Sequence, residues 1–165
     1  MKTVGEIMTR RLVVLTEEEN LSRIEAGMSR FGLRHLPVVD DGKLVGLVSH
    51  RDLLRASVST LEPIRDEKNR KLLEHTFVGE IMTRDVRTAR EDTPLSVAAK
   101  DLIEGRFGCL PVVNEQGDLV GIVTEHDFLK LCVDILEAGD DEDEISVEVD
   151  AQTVEADVEV ARTGS

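Results

Sequence analysis

The sequence is poor in aromatic side chains. It has no Trp, no Tyr and four Phe among 165 residues. A core must therefore be packed mainly from Val, Leu, Ile, Ala and Met, which favours layers of sheet and helix over an aromatic-filled barrel. Any flat ligand ring would have to lie against aliphatic side chains or a Phe.

Cysteine is also scarce. Cys109 and Cys132 are the two cysteines, and they form no CxxC pair. This pattern argues against a disulfide scaffold and is typical of reduced thiols in the cytoplasm. No apolar run approaches the ~20 residues that a membrane helix needs, and the N-terminus has no signal-peptide pattern. We therefore expect a cytoplasmic protein that does not bind membranes.

Positive charge is in deficit. Twenty Lys and Arg face 34 Asp and Glu, which gives a formal net charge of −14. The field of such a protein repels phosphate backbones, so no nucleic-acid partner is expected, although a local basic pocket for a small nucleotide remains compatible. Residues 140–144 form an acidic run, which is typical of a solvated tail.

The chain contains an internal duplication. Three blocks recur in the same order: residues 5–10 as 79–84, residues 36–39 as 110–113, and, with substitutions, residues 44–49 as 119–124. The duplication predicts this organisation: repeat 1 in residues 1–58, a partly helical linker in 59–76, repeat 2 in 77–137, and a flexible acidic tail in 138–165.

Each copy has the same order of predicted elements. A short apolar stretch (residues 12–15 and 86–89) predicts a first strand. In the first copy it precedes a helix marked by apolar residues at spacings of three and four: Leu21, Ile24, Met28 and Phe31. Two strands follow, joined in the first copy by an Asp-Gly turn at residues 40–43, and then a final helix. The prediction is βαββα, twice.

One motif follows the last strand of each copy. It reads Gly-apolar-x-Ser/Thr-x-x-Asp and includes Ser49 and Asp52 in the first copy, and Thr124 and Asp127 in the second. A hydroxyl followed three residues later by an acid is a capping box, which needs no ligand. The same geometry also places a helix N-terminus and a hydroxyl where a phosphate can bind. We prefer the binding interpretation because the motif occurs twice.

Together with the Leu-Pro-Val-Val strand and the Ile-Met-Thr opening, this motif resembles the CBS (cystathionine-β-synthase) domain over residues 3–137. The resemblance implies an α/β (α+β) fold of two βαββα repeats, packed through their sheets with pseudo-twofold symmetry. It implies clefts that hold AMP, ADP, ATP or S-adenosylmethionine, in which the motif Asp accepts the ribose hydroxyls. It also implies a homodimer built through the helices that face away from the sheets.

The two copies differ around the motif. Copy one has Arg34-His35 and His50-Arg51 where copy two has Gly108-Cys109 and Glu125-His126. The resemblance implies that basic residues before the strand reach phosphates, so we expect one competent anionic site and one weak or empty site. Met8 and Met82 are expected to pack on an adenine or in the core. The candidate ligand-binding residues are Met8, Arg34, His35, Ser49, His50, Arg51, Asp52, Met82, Thr124, His126 and Asp127.

The sequence shows no catalytic or metal-binding pattern. The four His lack metal-ligand spacing, Cys109 is expected to be a small buried residue, and no Ser-His-Asp set or phosphate-binding Gly-rich loop is present. We therefore expect no enzyme, no metal and no required cofactor. The leading hypothesis is a regulatory sensor of an adenine nucleotide. The alternative is an interaction module without nucleotide, in which the acidic tail recruits an unidentified effector protein.

Overall fold

The structure, a computed structural model, describes residues 2–56 and 65–139. The elements that it shows there are, in chain order, α1 (Val4–Ile7), α2 (Leu21–Phe31), β1 (His35–Asp40), β2 (Lys43–Ser49), α3 (His50–Ala56), α4 (Arg65–His75), α5 (Val78–Ile81), α6 (Leu95–Gly105), β3 (Cys109–Val113), β4 (Leu119–Thr124) and α7 (Glu125–Gly139). The predictions for residues 57–64 and for the tail from residue 140 onward lie outside the described residues.

The strands form two antiparallel hairpins, β1–β2 and β3–β4. The turn between β1 and β2 consists of Asp41 and Gly42, which have φ angles of 46° and 79°. Positive φ at both central residues is the type I′ geometry, whose twist suits a two-residue hairpin. The predicted Asp-Gly turn is therefore confirmed, and so is the predicted mixed fold of helices and small sheets.

The predicted first strand of each copy is shorter than expected. Leu15 forms one parallel bridge with Val38, and Ala89 forms one with Val112. Val13 and Val14 are 54% and 42% exposed, because that part of the segment does not pair within the sheet. The apolar stretches predicted as strands therefore add a single bridged residue to each hairpin.

Helix α2 lies where the spacing predicts it. Leu21, Ile24 and Met28 are buried, because their spacing places them on one face of the helix. The inclusion of Phe31 in that buried stripe was wrong. Phe31 is 65% exposed at the last position of the helix, with the guanidinium of Arg30 5.6 Å from its ring centroid.

The two hydrophobic cores exchange their first helices. Val78 and Met82, from the second copy, pack in the core of the first. Val4 and Met8, from the first copy, pack in the core of the second. The four-residue helices α1 and α5, which the sequence did not predict, thus complete the opposite repeat.

Backbone and side-chain contacts between the repeats come in matched pairs. The amide of Thr9 donates to the carbonyl of Ile122 at 2.8 Å, and that of Thr83 donates to Leu47 at 2.9 Å. Two methionines pack on glycines in the same reciprocal way, Met8 on Gly121 and Met82 on Gly46, and two ion pairs repeat the pattern, Arg10–Glu91 and Arg84–Glu17. These pairs give the two repeats an approximate twofold relation.

The chain divides into two compact units at Leu131, so that α7 begins in the first unit and ends in the second. Both repeats' hairpins and both cores lie in the first unit. Among the described residues, no helix is both long and apolar enough to cross a bilayer.

Candidate functional site

The hairpin register brings the predicted motif residues together. His35 lies opposite Ser49 across β1–β2, and Cys109 lies opposite Thr124 across β3–β4. Each hairpin therefore joins the first residue of its first strand to the cap of the following helix. The sites are built at this junction of strand and helix.

The motif carboxylate of each copy caps the start of the following helix, and in the first copy the Asp52 amide also donates to the Ser49 hydroxyl, which completes a capping box. Asp52 Oδ2 accepts hydrogen bonds from the Ser49 amide at 2.8 Å and the Ser49 hydroxyl at 2.6 Å. Asp127 Oδ2 accepts from the Thr124 amide at 2.7 Å and its hydroxyl at 2.8 Å. One oxygen of each carboxylate is thus used by the cap, and Asp52 Oδ1 lies 3.9 Å from Arg55.

The start of α3 offers fewer free amides than the sequence suggests. The amide of His50 donates to the carbonyl of Arg34 at 2.8 Å, and that of Asp52 donates to the Ser49 hydroxyl at 3.3 Å. Because these first-turn donors already have acceptors, an anion here would depend mainly on side chains.

A first cavity, cleft A, has a volume of about 620 Å³ and surrounds the motif of repeat 1. Repeat 2 supplies its opposite wall through the segments 83–87 and 106–109. Its charged lining consists of five arginines and three carboxylates: Arg34, Arg51, Arg55, Arg87, Arg106, Asp52, Asp85 and Glu125. The formal balance of these side chains is +2.

A second cavity, cleft B, has a volume of about 440 Å³ and surrounds the motif of repeat 2. Repeat 1 supplies its opposite wall through residues 9, 11–13 and 32–37. Its charged lining consists of two arginines and two carboxylates, Arg11, Arg34, Glu125 and Asp127, with a formal balance of zero. The two clefts are therefore related in position but not in charge.

The clefts share one wall, formed by Arg34, His35, Gly108 and Glu125. A Cβ at Gly108 would overlap the imidazole of His35, so the glycine gives the ring its space. Burial, followed by the charge of Arg34, lowers the pKa of His35 below its ordinary value, against the opposite effect of Glu125. The ring is therefore neutral at neutral pH.

The structure brings most of the predicted site residues to the clefts. Cleft A is lined by Arg34, His35, Ser49, His50, Arg51 and Asp52; cleft B by Arg34, His35, Thr124, His126 and Asp127. Met8 and Met82 line neither cavity and lie in the cores, each 8% exposed. Arg34 borders both clefts.

Besides Arg55, which follows the motif on α3 and lines cleft A, sequence reasoning missed three arginines that reach the clefts from the opposite repeat. Arg87 and Arg106 line cleft A, and Arg11 lines cleft B. Each belongs to the repeat that does not supply the motif of its cleft. Aligning the two copies reveals one of them, because Arg106 occupies the position of Gly32, and both end the corresponding helix in left-handed conformation.

Cys109 is 3% exposed, as a small buried residue is expected to be. Burial, with a smaller effect of Glu125, raises the pKa of its thiol to about 12. The reactive thiolate is therefore not populated at neutral pH, which is unfavourable for a nucleophile. The described residues include no group of three or more His, Cys, Asp or Glu placed to hold a metal ion.

Comparison with known proteins identifies related sequences. The CBS domain profile matches residues 4–59 and 78–134. The chain is 35% identical over 130 residues to the uncharacterized protein MJ1225 of Methanocaldococcus jannaschii, covering 78% of this chain and 46% of that one. It is 32% identical to a CBS domain-containing protein of Dictyostelium discoideum, over 81% of this chain and 93% of the relative.

Solved structures show the same fold. The Arabidopsis thaliana CBS-pair protein CBSX2, in complex with AMP, has a TM-score of 0.68 and 33% identity, covering 82% of this chain and 98% of that one. The CBS domain pair of MJ0100, in complex with 5′-methylthioadenosine and S-adenosyl-L-methionine, has a TM-score of 0.67 and 27% identity, over 82% and 98%. The cytosolic domain of the Mg²⁺ channel MgtE, in complex with ATP, has a TM-score of 0.63 and 31% identity, over 79% and 48%.

Proposed function

The chain belongs to the CBS domain family as a tandem pair of repeats, and from this premise we propose that it is a non-catalytic regulatory module that binds an adenosine-containing ligand between the repeats. The observation that carries the proposal is the pair of composite clefts, each built around one Gly-x-x-Ser/Thr-x-x-Asp motif. Their volumes fall in the range of small-molecule sites. Three similar CBS pairs bind AMP, ATP, or methylthioadenosine with S-adenosylmethionine.

The roles follow from the chemistry of the lining. Asp52 and Asp127 each use one carboxylate oxygen for the cap, and the other oxygen, which in Asp52 lies 3.9 Å from Arg55, can accept ribose hydroxyls. Arg34, exposed at the shared wall, is placed to pair with a phosphate. Leu47 and Val86 in cleft A, and Leu12 and Val13 in cleft B, provide aliphatic surface for a purine ring.

Regulation requires that the ligand bind two conformations with different affinity. A ligand in either cleft contacts both repeats, so it favours one arrangement of the pair over another. An effector protein would then bind one arrangement of the repeats more tightly than the other, whether the chain is a monomer or a homodimer. Exposed apolar side chains on the helices, including Val97 and Ile103 of α6, are compatible with a homodimer. Light scattering would measure the mass of the assembly.

The proposal is tested by thermal unfolding with AMP, ADP, ATP, NAD and S-adenosylmethionine, each in large excess. A ligand at about a hundred times its dissociation constant stabilises the folded state by ~2.7 kcal/mol. The melting temperature should then rise by roughly 5–10 °C. Asp52→Asn and Asp127→Asn should each remove the shift that depends on its own cleft, because an amide cannot replace the carboxylate toward a ribose diol. The absence of any shift from all five compounds would contradict the proposal.

The second candidate function is an interaction module without nucleotide. It is favoured by the hydrogen bonds of Ser49 to Asp52 and of Thr124 to Asp127, because a helix cap of this kind needs no ligand. In this case Asp52→Ala and Asp127→Ala would each lower the free energy of unfolding by about 0.5–2 kcal/mol. Neither variant would change ligand affinity, since the unmodified protein would have none.

A further inference from the structure

The conformation of Arg106 is uncommon for its residue type. It ends α6 with φ 52°, in the left-handed region that glycine adopts without strain. The corresponding helix of repeat 1, α2, ends on Gly32 with φ 63°. Repeat 2 therefore carries a strained arginine where repeat 1 has the residue that the geometry favours.

This arginine lines cleft A. Two other arginines of that cleft are already paired, Arg55 with Asp52 and Arg87 with Asp101. Within residues 2–56 and 65–139, the guanidiniums of Arg34, Arg51 and Arg106 make no ion pair. Cleft A thus has three uncommitted guanidiniums at its surface, contributed by both repeats.

Cleft B differs at the matching position. Gly32 lines it where Arg106 lines cleft A, and its arginines are Arg11 and Arg34. Its carboxylates, Glu125 and Asp127, equal these arginines in number. A polyanion would therefore find less positive charge to offset its repulsion from the carboxylates.

We propose that Arg106 is a specificity-determining residue, which makes cleft A the site for a nucleoside di- or triphosphate and leaves cleft B to adenosine compounds of lower negative charge. This inference rests on the proposed function and assigns a ligand class to each cleft. A polyphosphate bridges several guanidiniums, since each phosphate oxygen accepts a charge-assisted hydrogen bond. The strain at Arg106 is then compensated when the ligand is bound.

The test is Arg106→Gly, which removes the guanidinium while keeping the left-handed cap, as in Gly32. Calorimetric titrations with ATP and with adenosine compare this variant with the unmodified protein. The ATP dissociation constant should rise by about 10-fold or more, the usual effect of one hydrogen bond to a charged group. The adenosine constant should change less than about 2-fold, and the melting temperature should not fall.

Lys100→Ala is the matched control, because Lys100 is an exposed cation of α6 that lines neither cleft. It should leave both dissociation constants unchanged. An equal weakening of ATP binding by Lys100→Ala would overturn the proposal, since it would reveal a general charge effect. An unchanged ATP constant in Arg106→Gly, or an equal loss for adenosine, would overturn it as well.

The reciprocal variant is Gly32→Arg. A Cβ at position 32 has no atom within 4 Å, and the strain of its φ of 63° is of the kind that Arg106 bears at 52°. We expect the ATP stoichiometry per chain to rise from one to two, and an unchanged stoichiometry would count against the proposal. If the unmodified protein binds neither adenosine nor any of the five compounds of the thermal-unfolding test, the proposed function itself fails. If it binds one of them but neither ATP nor ADP, the assignment of cleft A fails. If the unmodified protein binds ATP and adenosine, and Arg106→Gly binds them with unchanged dissociation constants, only the role assigned to Arg106 fails.

Discussion

At the scale of single residues, His35 lies in the wall that the two clefts share. It borders both clefts, lies opposite the Ser49 cap and rests on Gly108. Burial is the largest cause of the lowered pKa of His35; the charges of Arg34 and Arg51 also lower it, whereas those of Glu125 and Asp52 raise it. Its protonation state is therefore coupled to folding.

The sign of that coupling follows from the lowered pKa. Near pH 6 the unfolded chain binds a proton at His35 more readily than the folded chain does, so stability rises with pH below about 6.5. We expect the free energy of unfolding to fall between pH 7 and 5, more steeply than in His35→Gln. The two proteins should differ in the slope of the unfolding free energy against pH by less than about 1.4 kcal/mol per pH unit. That value is the limit for one proton, and the ring of His35 stays below it because it is partly exposed.

Urea denaturation at pH 5, 6, 7 and 8 measures this dependence. His75→Gln is the control, because His75 lies on α4 and lines neither cleft. A profile of His35→Gln that runs parallel to that of the unmodified protein would show that His35 does not contribute.

At the scale of elements, substitution of two glycines distinguishes the effect of backbone propensity on stability from the effect of packing. Gly27 is inside α2 with no atom within 4 Å of an added Cβ, whereas a Cβ at Gly46 of β2 would lie 2.5 Å from Met82 Sδ. We expect Gly27→Ala to stabilise the protein by about 0.5–1 kcal/mol. Gly46→Ala should destabilise it by about 1–3 kcal/mol through overpacking. Chemical denaturation of both variants measures whether the two changes in the free energy of unfolding have opposite signs. A gain in stability for Gly46→Ala would show that Met82 moves away from β2 at little cost.

The elements that the sequence predicted well are those encoded by local spacing. Helix α2 follows from the positions of Leu21, Ile24 and Met28, and the first hairpin from its Asp-Gly turn. Helices α1 and α5 have four residues each, too few to show a helical period. Their burial depends on the other repeat, which no local pattern records.

The residues of the clefts were predicted only where a local motif or the family resemblance marked them. The motif residues were found, because capping is a contact over three positions. Arg87 and Arg106 reach cleft A from the opposite repeat, so their role depends on how the repeats pair. Arg106 was visible only as a departure from Gly32 in the aligned copies.

At the scale of the whole molecule, the exchange of first helices couples the two cores. Val4 and Val78 are each 0% exposed, and each completes the core of the other copy. Val4→Ala should therefore weaken the β3–β4 hairpin and Val78→Ala the β1–β2 hairpin, each by about 2 kcal/mol from the methyl groups lost and the cavity left. Native-state hydrogen exchange, resolved by residue, measures both. If hydrogen exchange became faster only in the hairpin of the repeat that carries the substitution, the first helices would not stabilise the opposite repeat.

Charge is also distributed unevenly over the molecule. Residues 140–165 hold ten carboxylates and one arginine, a net charge of −9, so residues 1–139 carry the remaining −5 of −14. The part of the chain that contains both clefts is therefore much closer to neutral than the whole protein. A local excess of arginine in cleft A is compatible with this balance.

The exchanged first helices α1 and α5 also indicate how the tandem chain evolved. A single repeat, expressed alone, would leave its own first helix without a core and its own core without the Val and Met that fill it. Two identical copies would supply each other with both. We therefore expect that the ancestor, before its gene was duplicated, was a symmetric dimer, and that fusion freed the two copies to diverge, as Gly32 and Arg106 have done at equivalent positions.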